Sequence, residues 1–210
     1  MINLSKVFKD KGIGDHMDKL ILSTDNEGKF QEISHMLSDL DIEVMRKSDV
    51  GLGDVEPVED GNSLEENARI KVDALDIKDA YILGDDTGLY VEALNGEPGI
   101  HAARYAGEHV TDEDNRKKML KALEGESNRK AYFKTVMALR YNDKIWYTEG
   151  VCEGKITEEE HGELGFGYDS IFLPNESDET FGEMSEESKN QISHRSKALK
   201  NLSSLLKELI

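Results

Sequence analysis

The chain has 210 residues, 26 Lys and Arg against 44 Asp and Glu, a formal net charge of −18 and 37% hydrophobic residues. That length suits one substantial domain, or two small lobes about one core. No run is long and apolar enough to span a membrane, and the lone Cys152 excludes an internal disulfide framework. Such acidity argues against nucleic-acid binding through a broad basic face. It leaves open a small anionic ligand held by a local cation cluster or a metal ion, in a protein expected to be cytoplasmic.

Residues 1–16 are polar and aperiodic and read as an N-terminal extension, either non-native or disordered; 17–210 read as a single domain. Leu20-Ile21-Leu22 predicts a short buried strand, and Ser23 to Gly28 a polar loop. From Lys29, the apolar Phe30, Ile33, Leu37 and Leu40 follow helical spacing. Strand, glycine-containing loop and helix make the first half of an α/β unit. Ser63-Leu64-Glu65-Glu66 is a capping box ahead of a helix whose face is Ala68, Val72 and Leu75. Tyr81-Ile82-Leu83 predicts a second buried strand, ending at Asp85-Asp86.

Thr111 to Asp114 caps a further helix, with Leu120 and Leu123 inward. From Ala131 to Tyr141 the period becomes two, with Phe133, Met137, Leu139 and Tyr141 alternating against Lys134 and Arg140. Asn142-Asp143 turns this strand into Lys144-Ile145-Trp146-Tyr147, a β-hairpin. Ile192, Leu199, Leu202, Leu206 and Leu209 share one face of a C-terminal helix. The expected fold is α/β: an elongated mixed β-sheet flanked by helices, with two lobes and a central cleft.

Four segments carry the chemistry. "STDNEGK", Ser23 to Lys29, joins strand to helix, where backbone N–H groups and the helix dipole suit a phosphate. By itself it is better read as an ordinary Asn-capped helix with an exposed lysine. "GFGYDS", Gly165 to Ser170, surrounds an aromatic with glycines, as for a ring that stacks on a nucleobase while Asp169 reads its edge; a glycine-rich turn with one core aromatic fits equally. Lys189, His194 and Arg195 read as cations at a helix start, where they oppose the macrodipole unless an anion arrives. Asp85-Asp86, at a strand's end, sits where open α/β sheets place ligands. With Glu56 or Glu59 it suits magnesium, which takes a few carboxylates plus phosphate oxygens and water. Together the four specify a nucleoside phosphate site better than any one does.

In this order, "STDNEGK", "EDGNSLEENARIK", "GDDTGLYVEALNGEPGIHAARYAG", "GFGYDSIF" and "KNQISHR" resemble the inosine triphosphate pyrophosphatase family, from about Leu20 to the C-terminal helix. The resemblance implies magnesium-dependent hydrolysis of deaminated purine nucleoside triphosphates (ITP, dITP, XTP) to the monophosphate and pyrophosphate, by a homodimer that engages neither nucleic acid nor membrane. It places Ser23, Thr24, Asp25, Asn26, Glu27, Gly28 and Lys29 on the substrate, with Thr24, Asn26 and Lys29 at the triphosphate. Asp86 takes the place of the catalytic aspartate, proton acceptor and metal ligand. Glu59 takes that of the second metal carboxylate, with Glu56 as competitor, and Thr87 that of a neighbouring serine. Phe166 would stack on the base with Gly167, Tyr168 and Asp169 completing that wall, while Lys189, His194 and Arg195 would hold base and phosphates. Asp85, alternating to the other side of the strand, is left structural or supporting.

Ser170 departs from the family's frequent proline, and His101, Ala102 and Gly182 from Tyr, Ser and Ala; these bear on loop stiffness and dimer contacts rather than on the reaction. A hydrogen-bond donor such as Arg195 would favour the six-position carbonyl of hypoxanthine or xanthine over adenine's amino group. Two other readings use the same residues: a nucleotide sensor without catalysis, against which the intact carboxylate set speaks, and an acidic interaction module whose glycine loops are only turns.

Overall fold

The computed structural model describes residues 18–210, so the expected extension over 1–16 lies outside the described residues. Strand β1 (Asp18–Leu22) pairs in parallel with β2 (Ile42–Arg46) and, through Leu20↔Tyr81 to Leu22↔Leu83, with β3 (Tyr81–Val91). The full order is β2-β1-β3-β5-β6-β7, where β5 is Lys130–Tyr141, β6 is Lys144–Ile156 and β7 is Phe172–Pro174; β4 (Pro98–Gly99) pairs antiparallel with β3 off this path. The result is an open, mixed, seven-stranded sheet with flanking helices. The chain divides into two compact units. One holds the described residues up to Asp86 with Val136–Thr148 and Leu199–Ile210; the other holds Thr87–Thr135 and Glu149–Ala198.

In the first unit, β1 leads through Ser23–Asn26 into helix α1 (Glu27–Met36). The helix begins two residues before the expected Lys29 because Asn26 is its N-cap, its side-chain oxygen accepting from the Lys29 N–H at 2.9 Å. It ends at Met36, so Leu37 packs as the C-cap and Leu40 falls beyond the helix. Helix α2 (Leu64–Asp73) is capped by Ser63, which accepts from the Glu66 N–H. The expected box is half formed: the Glu66 carboxylate accepts from the N–H of Asn62 at 2.7 Å, one residue further back than Ser63. Ala68 and Val72 are fully buried, and Arg140 donates to the carbonyls of Val72 and Leu75 at the C-terminal end of α2, where a cation is favoured.

β3 does not end at the aspartates. It runs on to Val91, so Asp85 and Asp86 sit inside a strand of 11 residues, just past the last residue paired with β1. Gly84 sets how closely α2 lies on it: a Cβ there would meet the Ala68 carbonyl oxygen at 2.8 Å and the Lys71 Cβ at 2.9 Å. β5 alternates only in its first half; Thr135 to Leu139 are all buried, as in a strand covered on both faces. Asn142, at φ 51°, and Asp143 close the expected hairpin to β6.

In the second unit, helix α3 (Asp112–Ala122) begins in a full capping box between Thr111 and Asp114. Its core gathers Leu89, Met119, Phe133, Cys152, Ile171, Phe172 and Phe181, with Phe133 edge-on to Phe172 at 4.7 Å between centroids. The expected single C-terminal helix is two, α4 (Glu186–Ile192) and α5 (His194–Leu209), separated at Ser193, whose ψ of 154° is extended. Ile192 therefore packs on the core of this unit, whereas Leu199, Leu202 and Leu206 are buried in the first.

Cys152 is fully buried and its thiol is pushed up to about 11, chiefly by that burial. A disulfide exchange reagent at pH 7.5 should leave the native protein unmodified over the time in which the urea-unfolded chain reacts with one equivalent. Rapid labelling of the folded protein would contradict the packing described.

Candidate active site

A pocket of about 260 Å³ in the first unit is lined by Ser23, Thr24, Asp25, Lys29, Lys47, Glu56, Pro57, Glu59, Lys71 and Asp85. Three of its walls are ammonium groups, an unusual concentration in so acidic a chain. Local geometry fixes the loop that opens it: the Ser23 N–H donates to the Leu83 carbonyl at 2.8 Å and the Ser23 hydroxyl to the Lys71 carbonyl at 2.7 Å, tying β1, β3 and α2 together. Of the seven residues expected on the substrate here, Ser23, Thr24, Asp25 and Lys29 line the pocket. Asn26 is spent on capping α1, Glu27 is paired outward with Arg46 at 2.7 Å, and Gly28 is exposed on the helix.

The two adjacent aspartates take different partners. Asp85 is buried and accepts from the Lys29 ammonium at 2.8 Å through both oxygens, so it lines the pocket rather than turning away from it. Asp86 accepts from the Asn67 amide at 3.0 Å and faces the Lys71 ammonium at 3.4 Å. The same ammonium donates to Glu59 at 2.9 Å and to the backbone carbonyl of Asp85 at 2.8 Å. Burial is the main reason the Asp86 carboxyl is held above its ordinary range; Lys71 and Asn67 pull it back, and Glu59 adds to the rise. Burial likewise opposes the charge on Lys71, but Asp86, Asp85 and Glu59 together outweigh it and hold the ammonium protonated above its usual range.

Glu56 is 82% exposed in its side chain and pairs with Lys47 at 2.9 Å, away from Asp86. Glu59 and Asp86, by contrast, bring hard oxygen donors to one cation. Two carboxylates completed by phosphate oxygens and water is a donor set magnesium takes. Among the described residues no group of three or more His, Cys, Asp or Glu is placed to hold a metal.

In the second unit, Phe166 is 62% exposed while the glycines around it, Gly165 at φ 77° and Gly167 at φ 61°, hold left-handed backbone. The Lys189 ammonium and the Arg195 guanidinium lie over its ring, 5.0 and 5.8 Å from the centroid. Tyr168 and Asp169 are not part of an open wall. Tyr168 is buried, its hydroxyl donating to the Ala102 carbonyl at 2.7 Å, with burial pushing that hydroxyl well up. Asp169 is buried too, accepting from the Phe166 N–H at 2.8 Å and the Lys189 ammonium at 2.6 Å, so it holds the loop. Lys189 stands in the last turn of α4, where a cation is favoured, and not at a helix start. His194 and Arg195 do open α5, but His194 is buried and stacked on Phe133 at 4.6 Å. The Thr87 hydroxyl lies 2.7 Å from that of Thr135.

Sequence reasoning missed Asn67, Lys71 and Lys47. The first two stand four apart in α2 and so share a helix face, a signal present in "NARIK". Lys47, buried and donating to the Val55 carbonyl at 2.6 Å, gave no signal beyond a charged neighbour.

The sequence model of the Ham1 family matches residues 20–205. The chain belongs to the Ham1 family. Among its curated relatives is a dITP/XTP pyrophosphatase of Thermoanaerobacter pseudethanolicus, 45% identical over 196 residues that cover 91% of this chain and 98% of that protein. A dITP/XTP pyrophosphatase of Flavobacterium johnsoniae is 44% identical over 189 residues, covering 90% and 97%. Among solved structures, the Ham1 protein of Staphylococcus aureus superposes with a TM-score of 0.84 at 36% identity over 92% of this chain and 100% of that one. A HAM1 protein from Coxiella burnetii gives 0.84 at 38% identity over 91% and 100%.

In this Ham1-family chain the Lys71 ammonium neutralises carboxylates that would otherwise repel in a half-dry site. Lys71→Met should lower stability by about 3 kcal/mol in metal-free urea unfolding. Adding Asp86→Asn should recover part of that loss, because the uncompensated charge is then gone. Additive losses in the double variant would show that the two groups do not interact.

Proposed function

We propose that this protein hydrolyses the deaminated purine nucleoside triphosphates ITP, dITP and XTP to the monophosphate and pyrophosphate, clearing them from the nucleotide pool. The names of its curated relatives support that activity. The observation that carries it to residues is Asp86, a half-buried carboxylate steered by Asn67 and Lys71, where Lys71 also lines a pocket of three ammonium groups.

Asp86 orients the attacking water and accepts its proton, its carboxylate positioned by the Asn67 amide and the Lys71 ammonium. Lys29, Lys71 and Lys47 answer the charge that develops on the pyrophosphate as it leaves. Asp86 and Glu59 would hold magnesium, which supplies further charge neutralisation to the phosphates. Phe166 offers its exposed ring to the purine, with Lys189 and Arg195 as donors for base and phosphate. Buried Tyr168 and Asp169 serve by holding that ring in place. The active species is a homodimer in the cytoplasm.

Pyrophosphate release from ITP should exceed that from ATP or GTP, cease with EDTA and return with added magnesium. Asp86→Asn should retain the native melting transition and lose at least about 100-fold in kcat. Full activity in that variant would remove Asp86 from its role. Sedimentation velocity should give twice the chain mass of 23.6 kDa.

A further inference from the structure

We propose that Arg116 and Asp112, on α3, are positioning residues for the nucleobase platform: they clamp the backbone of Gly167 and so hold Phe166 at a fixed pose. This rests on the reading above that Phe166 stacks on the purine.

An exposed aromatic on a glycine-flanked turn should move freely, and every rotamer it visits would be frozen on binding at an entropic cost. The backbone here is held at each peptide group around the ring. The Phe166 N–H donates to Asp169 at 2.8 Å, and the Phe166 carbonyl accepts from the Asp169 N–H at 3.1 Å. The Gly167 N–H donates to the Asp112 carboxylate at 2.8 Å, and the Gly167 carbonyl accepts from an Arg116 Nη at 2.9 Å. Both outer partners come from one rigid element. Asp112 stands in the first turn of α3, where the helix dipole favours a carboxylate. Arg116 lies four residues on, on the same face.

Arg116 is suited to this by its fork. While one Nη holds Gly167, its Nε donates to Glu160 at 2.8 Å, and the same Glu160 oxygen accepts from the Ser170 hydroxyl at 2.9 Å. A hydrogen-bonded strut, Ser170–Glu160–Arg116–Gly167, thus stiffens the loop. A lysine at 116 could reach one partner but not span both.

The experiment compares the full-length parent with Arg116→Ala, Arg116→Lys and Asp112→Ala, reading ITP and ATP kinetics together with inhibition by inorganic pyrophosphate, which carries no base. In Arg116→Ala and Asp112→Ala the KM for ITP should rise about ten-fold with kcat within about two-fold, and the ITP-over-ATP preference in kcat/KM should shrink. The inhibition constant for pyrophosphate should stay within about two-fold of the parent, and Arg116→Lys should fall between. Unchanged KM for ITP in the alanine variants overturns the clamp. So does equal weakening of ITP and pyrophosphate, which is what a general loosening of the fold produces. If either alanine variant does not fold, Arg116→Lys decides by the same split. A parent that does not turn over ITP overturns the functional reading as well, whereas failure confined to the variants overturns the clamp alone.

Discussion

The Lys71 ammonium is the charge about which the first unit's chemistry is arranged. It touches Glu59, Asp86 and the Asp85 carbonyl, while its own backbone carbonyl is held by Ser23. Without a cation at that point, carboxylates from a loop and a strand would face one another in a site too dry to screen them. Its reach depends on an absent atom: a side chain at Gly84 would collide with α2 and push the lysine away. The β1 loop, the α2 helix and the β3 strand are thus mutually located by one side chain and one glycine, and a phosphate-sized pocket is what remains between them.

The second unit solves a different problem. A ring that must meet a flat ligand has to stay exposed, so packing cannot hold it. The constraint moves into the backbone, through left-handed glycines and carboxylates that receive the flanking N–H groups. Asp169 serves both loop and Lys189, which places the cation over the ring that it accompanies.

Much of this was legible in the sequence where the signal was local. The Asn26 and Thr111 caps, the β1 run, the hairpin at Asn142-Asp143 and the order of the motifs are each written in a few neighbouring residues. What was not legible depends on distant partners. Asp85-Asp86 looked like a strand's end because the apolar run stops at Leu83, yet β3 continues with polar residues whose charge is met by Lys29 and Lys71. The C-terminal periodicity spans the break at Ser193, since the apolar spacing happens to persist across it. Tyr168 and Asp169 belong to the same motif as Phe166 but sit beneath its surface, a distinction of depth that a one-dimensional pattern does not carry.

The three lysines of the pocket have a consequence at longer range. At physiological ionic strength a charge is felt over about 8 Å. Within that radius the lining sets Lys29, Lys47 and Lys71 against Asp25, Glu56, Glu59 and Asp85, so charges nearly cancel there while the whole chain carries a formal −18. The pocket is thus a place where the chain's prevailing negative charge is largely cancelled by its own lysines.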